Sequence, residues 1–185
     1  MQIRQLLLII FLFIINYSYC QFDNFERNLM DYNFDSDTIK NRLARLDAKT
    51  PIDIYFTTEV EKRIKEYLKE MLGFYKDNIE KINYYLPLFE EHLQNNQIPT
   101  EIKYLPIIES RLDPTAVSKF GATGLWQFMF YTALENGLKM NSYVDERMDP
   151  LKSTVAATKY LQKLYKIHSD WNLVLASYNA GPRTI

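Results

Sequence analysis

Apolar positions along this chain recur at helical spacing, and no alternating apolar run of useful length interrupts them. Ile39, Leu43 and Leu46 stand at i, i+4 and i+7. They predict a short amphipathic helix over 37–47, with Ser36 or Asp37 as its N-cap. Thr50-Pro51 closes it, and the run Pro-Ile-Asp-Ile-Tyr-Phe continues extended, with no obvious partner strand. Thr58 and Glu61 fit a capping box. Val60, Ile64, Tyr67, Leu68, Met71 and Leu72 then line one face of a helix, with Lys and Glu opposite and Gly73 as a natural stop. A second helix is predicted over 74–84. A third starts at Leu86-Pro87, with the proline near its first turn, and runs to about Gln94. Asn95-Asn96-Gln97 reads as a turn. Pro99 and Thr100 open a fourth helix that is bent at Pro106 and ended by Asp113-Pro114. Residues 114–123 read as a loop, 125–137 as a helix and 138–148 as a polar loop. Asp149-Pro150 is an N-cap with proline at the first position. The long helix that follows turns Val155, Ala157, Leu161, Leu164 and Ile167 largely inward. Asp170 caps a last helix over 171–178, ended by Asn179-Ala180-Gly181-Pro182. The expected fold class is all-α, amphipathic helices joined by short loops.

Composition adds bounds. The chain has 185 residues, 47% apolar and 24% charged, which suits one modest domain. A net charge of −1 offers no basic footprint for phosphates, so nucleic acid is not an expected partner. Residues 1–20 carry Arg4, then an apolar run over 6–15, then a polar stretch, the build of a secretory signal peptide. Ser18 and Cys20 are small residues at −3 and −1 of a cut before Gln21. Acylation of Cys20 as a lipoprotein anchor is the rival; Tyr17 and Tyr19 fit it poorly, and plain cleavage is preferred. The apolar run is short for a retained transmembrane helix. Residues 21–56 are expected to be an irregular and partly helical lead-in, and 57–185 a single domain. The chain stops a few residues past a helix end, and the domain is expected to be incomplete there. His92 and His168 stand alone, outside metal spacing, and are expected at the surface; no metal or cofactor is expected. Trp126 is expected to pack in the core.

The chemistry is expected in the stretch 101–112, Glu-Ile-Lys-Tyr-Leu-Pro-Ile-Ile-Glu-Ser-Arg-Leu. On a wheel of about 100° per residue, Ile102, Leu105, Pro106, Ile108 and Leu112 share one apolar arc. Glu109 falls in the middle of it. An ionised carboxylate on such an arc is costly to bury. It therefore has a partner, or a raised pKa and a proton to give. Asp113, Glu135, Asp145, Glu146 and Asp149 could supply a second carboxylate by count, but no pattern forces one beside Glu109.

Three separated patterns accompany that acid: Glu109-Ser110; Gly121-Ala-Thr-Gly124-Leu-Trp-Gln127-Phe-Met129; and Tyr178-Asn179-Ala180-Gly181. Each alone is common. Together, in this order and in a helical chain, they resemble the lysozyme-like lytic transglycosylases of bacterial cell walls, and among them the membrane-bound type-D branch. The resemblance covers about 57–185. It implies a goose-lysozyme-like helical domain with a substrate cleft, and peptidoglycan glycan strands as the substrate. The implied reaction cuts the β-1,4 bond from N-acetylmuramic acid to N-acetylglucosamine and leaves a 1,6-anhydro sugar. Glu109 would be the acid and then the base. Ser110 would orient Glu109 or bond near the muramic acid. Gln127 and Met129 would line the cleft, and Gly124 would permit a close approach of sugar or backbone. Tyr178 would direct its hydroxyl toward Glu109, and Asn179 would hold the acetamido group or the catalytic loop. The implied setting is the periplasm or cell envelope, for a monomer with wall or outer-membrane association.

The chain departs from the family pattern at three positions. Phe130 stands where proline often follows, Ser177 where alanine is usual, and Arg183 where a second glycine is frequent. Two other functions compete with the implied one. A muramidase of the same fold would use water as acceptor. A non-catalytic helical module would bind glycan or scaffold partners.

Overall fold

The computed structural model describes residues 35–181. The signal peptide expected at 1–20, with Cys20, and most of the lead-in before the first helix lie outside the described residues, as does Arg183. Among the described residues the fold is all-α, as expected. Helix α1 spans Ser36–Asp47, α2 Thr58–Asp77 and α3 Ile79–Asn95. A short 3-10 helix, Thr100–Tyr104, leads into α4, Leu105–Ser110. Helix α5 is Phe130–Glu135, and a 3-10 turn occupies Glu146–Met148. Helices α6, Pro150–His168, and α7, Trp171–Ala180, complete the order. Among the described residues, β-type pairing is confined to isolated bridges, Val117 with Thr123, Thr123 with Phe128 and Met140 with Asp145.

Capping residues set most helix starts. Asp35, one residue before the expected cap, accepts from the Thr38 amide to open α1. Thr57, again one residue early, accepts from the Val60 amide to open α2. Asp149 and Asp170 cap α6 and α7 as expected.

Several boundaries differ from the periodic reading, each for a local reason. Helix α2 passes through Gly73 and ends only at Asn78. Gly73 faces open space, and the turn beyond it carries Phe74 and Tyr75, which pack on the core. That packing outweighs the roughly 1 kcal/mol glycine penalty. Asn78 closes α2, its side-chain amide donating to the Phe74 carbonyl, and also opens α3. The helices expected over 74–84 and from Leu86 onward are therefore replaced by a boundary at Asn78. Pro87 lies within α3 on its exposed side, where the missing N–H leaves the buried stripe of Ile82, Leu86, Phe89 and Leu93 intact. The single bent helix expected around Pro106 is a 3-10 segment joined to a new α-helix with Pro106 in its first turn. The helix expected from Leu125 begins at Phe130 instead. Gln127 takes a left-handed conformation, φ 48°, and Thr123 and Phe128 exchange backbone hydrogen bonds across the turn. Ile167 is 65% exposed rather than inward, because the helix rotates it past the packed side of α6.

One apolar cluster joins all of this. It contains Ile39, Leu43 and Leu46 of α1, Ile64 and Leu68 of α2, Phe89 and Leu93 of α3, and Leu161 and Leu164 of α6. Trp126 stands fully buried in it, edge-on to Phe89 at 5.3 Å, its indole N–H donating to Thr154 Oγ1 at 3.0 Å. The site loop is thus nailed to α3 and α6 from within. No helix among the described residues is long and apolar enough to cross a membrane.

Candidate active site

Glu109 sits in the last turn of α4 and is half-buried. The apolar arc around Glu109 presumes one continuous helix. The 3-10 segment shifts the register, so Ile107 is buried at 1% exposure while Ile108 and Glu109 are both half-buried on the helix flank. The deeply buried carboxylate of this stretch is Glu101, which the periodic reading passed over. Burial raises the Glu101 pKa, against smaller lowering from its own backbone amide, Thr50 and Lys103.

The chain turns sharply after the acid. Arg111 and Leu112 both take left-handed backbone, φ 53° and 57°. Such conformations cost non-glycine residues of order 1–3 kcal/mol each. The fully buried Leu112 side chain holds the turn against that cost. This turn delivers the chain to the loop at 114–129.

That loop gathers the three sequence patterns. The Ser110 hydroxyl reaches the Pro106 carbonyl at 2.9 Å and the Leu125 carbonyl at 3.1 Å, joining α4 to the loop. Ser110 is itself buried. From α7, the Tyr178 hydroxyl donates to the Trp126 carbonyl at 2.7 Å. The hydroxyl was expected to point at Glu109. It is spent on the loop backbone, because that buried carbonyl needs a donor. Glu109 nevertheless lies close enough to act on the phenol. Burial pushes the Tyr178 pKa well above its ordinary value, and the Glu109 and Tyr160 charges add to the rise. The Tyr178 ring packs on Tyr160 of α6 at 5.5 Å. Asn179, the next residue, is half-buried.

Gln127 is half-buried, and its side-chain amide donates inward to the Ala116 and Gly124 carbonyls at 3.2 and 2.9 Å. Both N–H hydrogens are thereby occupied, and the amide oxygen is the atom left to accept a hydrogen bond. Met129 is 46% exposed at the N-cap of α5, beside the exposed Phe130 and Tyr131 rings. Gly124 has φ 81°, and a Cβ there would stand 1.9 Å from the Arg147 carbonyl oxygen. The close approach that requires glycine is made by backbone.

The other carboxylates counted in the sequence are largely engaged elsewhere. Asp113 accepts from the Thr115 amide and hydroxyl, which lower its pKa. Asp145 is held below the usual range by the Arg147 guanidinium. Glu146 takes the Lys152 ammonium and the Lys139 amide, and Asp149 caps α6. Glu135 is exposed on α5. His168, expected at the surface, is half-buried, with Nε2 2.7 Å from the Ser177 hydroxyl, where α7 needs a partner for a buried polar group. Periodicity did not single out Arg147 or Thr154, whose roles depend on contacts 19–28 residues away. Among the described residues no group of His, Cys, Asp and Glu could hold a metal ion.

The comparisons with known proteins concern this same region. Residues 87–185 match the family described as Transglycosylase SLT domain. The chain is 32% identical over 123 residues to the membrane-bound lytic murein transglycosylase D of Escherichia coli (strain K12), covering 66% of this chain and 27% of that protein. The protein of the same name from Escherichia coli O6:H1 gives the same figures. A candidate tributyltin chloride resistance protein of Alteromonas sp. (strain M-1) is 31% identical over 98 residues, 52% of this chain and 47% of that one. The chain thus spans about a quarter of the length of the transglycosylases it matches. With its family region running from α3 through the acid, the loop and α7, this chain belongs to the transglycosylase SLT domain family.

Proposed function

We propose that the chain cleaves peptidoglycan as a lytic transglycosylase, with Glu109 as its acid and base. The observation that carries this reading is the convergence on one loop of the segment bearing Glu109 and the segment bearing Tyr178, through Ser110 and the Tyr178 hydroxyl. The substrate is the glycan strand, and the bond cut is the β-1,4 link from N-acetylmuramic acid to N-acetylglucosamine. A glycosidic oxygen leaves poorly unless it is protonated as the bond breaks. Protonated Glu109 gives its proton to the departing N-acetylglucosamine oxygen while the muramic acetamido group assists at the anomeric carbon. Ionised Glu109 then takes the proton of the muramic 6-hydroxyl as that oxygen closes on the anomeric carbon. The product is the 1,6-anhydro sugar, no water is consumed, and Glu109 ends protonated again.

Ordinary glycosidases need a second carboxylate as nucleophile or base. The engagement of Asp113, Asp145, Glu146 and Asp149 favours the single-acid route. Met129 and the Gln127 amide oxygen would meet the glycan, and Asn179 the acetamido group. Ser110, Gly124 and Tyr178 would hold the loop that presents them. The setting would be the cell envelope, reached through a signal peptide at 1–20, with the domain at 57–185 acting as a monomer.

The test is product mass. Sacculi incubated with the chain should release anhydro-muropeptides, whereas a reducing muramic acid would identify a muramidase. Glu109→Gln should lower turnover by about three orders of magnitude or more while binding to sacculi survives. Unchanged turnover in that variant would remove Glu109 from the mechanism, and no turnover by the unaltered chain would favour a glycan-binding module.

A further inference from the structure

The turn at 145–147 grips the site loop at both ends. The Arg147 side chain is only 11% exposed. Its Nε and Nη2 donate to the Asp145 carboxylate at 2.9 and 2.6 Å. Its Nη1 donates to the Gly121 carbonyl at 3.0 Å and to the Phe128 carbonyl at 3.2 Å. The Arg147 carbonyl meanwhile fills the space beside Gly124 that a Cβ would need. One residue therefore fixes the separation of positions 121 and 128 and the depth of position 124.

We propose that Arg147 is a positioning residue for the reaction, holding in register the loop that receives the Ser110 and Tyr178 hydroxyls. This inference rests on the reading of Glu109 given above. The Leu125 and Trp126 carbonyls lie between the two ends that Nη1 ties together. If those ends part, both carbonyls move relative to Ser110 and Tyr178. Ser110 adjoins Glu109, so the acid moves with them. Misplacement of this kind lowers the chemical step more than it lowers binding.

Only a guanidinium suits the task. Its planar fork serves a carboxylate with one edge and two carbonyls with the other. A lysine ammonium at the same place cannot span both. Asp145 keeps the half-dry cation paired and oriented.

The full chain decides the matter as Arg147→Ala, Arg147→Lys and Asp145→Asn variants, beside Glu109→Gln. Amide exchange at Gly124, Gln127 and Phe128, whose N–H groups bond within the loop, needs no activity to be read. It should quicken by about tenfold or more in Arg147→Ala. On sacculi, kcat should fall by about tenfold or more with KM held within about twofold. Arg147→Lys should share the defect, Asp145→Asn should show a smaller one, and millimolar guanidinium should partly restore Arg147→Ala alone. Unchanged exchange and kcat would overturn the proposal. So would a loss of activity that only tracks the unfolded fraction and is not rescued by guanidinium. An inactive unaltered chain would instead sink the transglycosylase reading, and the exchange rates would still decide whether Arg147 fixes the loop.

Discussion

Glu101 and Glu109 lie eight residues apart, and the structure treats them differently. Glu101 is 5% exposed, and burial raises its pKa. A group whose folded pKa exceeds its unfolded value stabilises the fold fully below the unfolded pKa. That contribution drains away as pH rises through the folded one. Glu101→Gln removes the charge at every pH. The variant should melt a few degrees above the unaltered chain at neutral pH, and the gap should close below about pH 4. Thermal unfolding across that range checks it, and a variant that melts lower at neutral pH would show that the Thr50 and Lys103 contacts outweigh burial. Sequence periodicity singled out the acid at 109 but not the one at 101. It assumes one helical register, and the 3-10 segment Thr100–Tyr104 breaks that register between them. The family pattern brought out the residues that converge on the loop. It did not say that the Ser110 and Tyr178 hydroxyls go to backbone, since neither carbonyl has a side chain to advertise it.

At the scale of elements, two glycines make opposite predictions. Gly73 is helical, ordinary in backbone and open to solvent. Gly73→Ala should stabilise the chain by about 0.5–1 kcal/mol. Gly124 combines φ 81° with a backbone oxygen 1.9 Å from any Cβ. Gly124→Ala should cost about 3 kcal/mol or more, or drive the loop off the 145–147 turn. Denaturant melts of both variants give the two signs side by side. Helix existence was legible throughout, whereas the joints were not. Gly73 and Pro87 are breakers by local rule, and each is overruled because its helix continues to bury apolar residues on the far side. Leu125 starts no helix because Gln127 is left-handed, a conformation that tertiary contacts impose.

Across the whole molecule, α1 belongs to the same core as the family region. Ile39 and Leu43 are buried with Phe89, Trp126 and Leu161 in one cluster, although the family match begins at residue 87. Ile39→Ala should therefore cost about 2–5 kcal/mol. It should lower the stability of the site loop together with α1 in one transition. A separate early melting of α1, with the loop's exchange rates unchanged, would show instead that the two halves unfold independently. The apolar pattern foretold the members from α1, Ile64, Leu68 and Met71 of α2, and Ala157, Leu161 and Leu164 of α6, but it named no inward face for α3 or α7 and it placed the exposed Ile167 inward. Which helices meet was beyond it, because periodicity reports a face and not its neighbour.

The bond from Tyr178 to the Trp126 carbonyl spans 52 residues of sequence. Chains emerge from the ribosome N-terminus first. The acid at 109 and its loop are therefore made well before the phenol that braces them. A nascent chain halted before α7 has Glu109 and Ser110 in hand and leaves the Trp126 carbonyl to water. Until that ring is made, the loop beside Glu109 would lack its brace from α7.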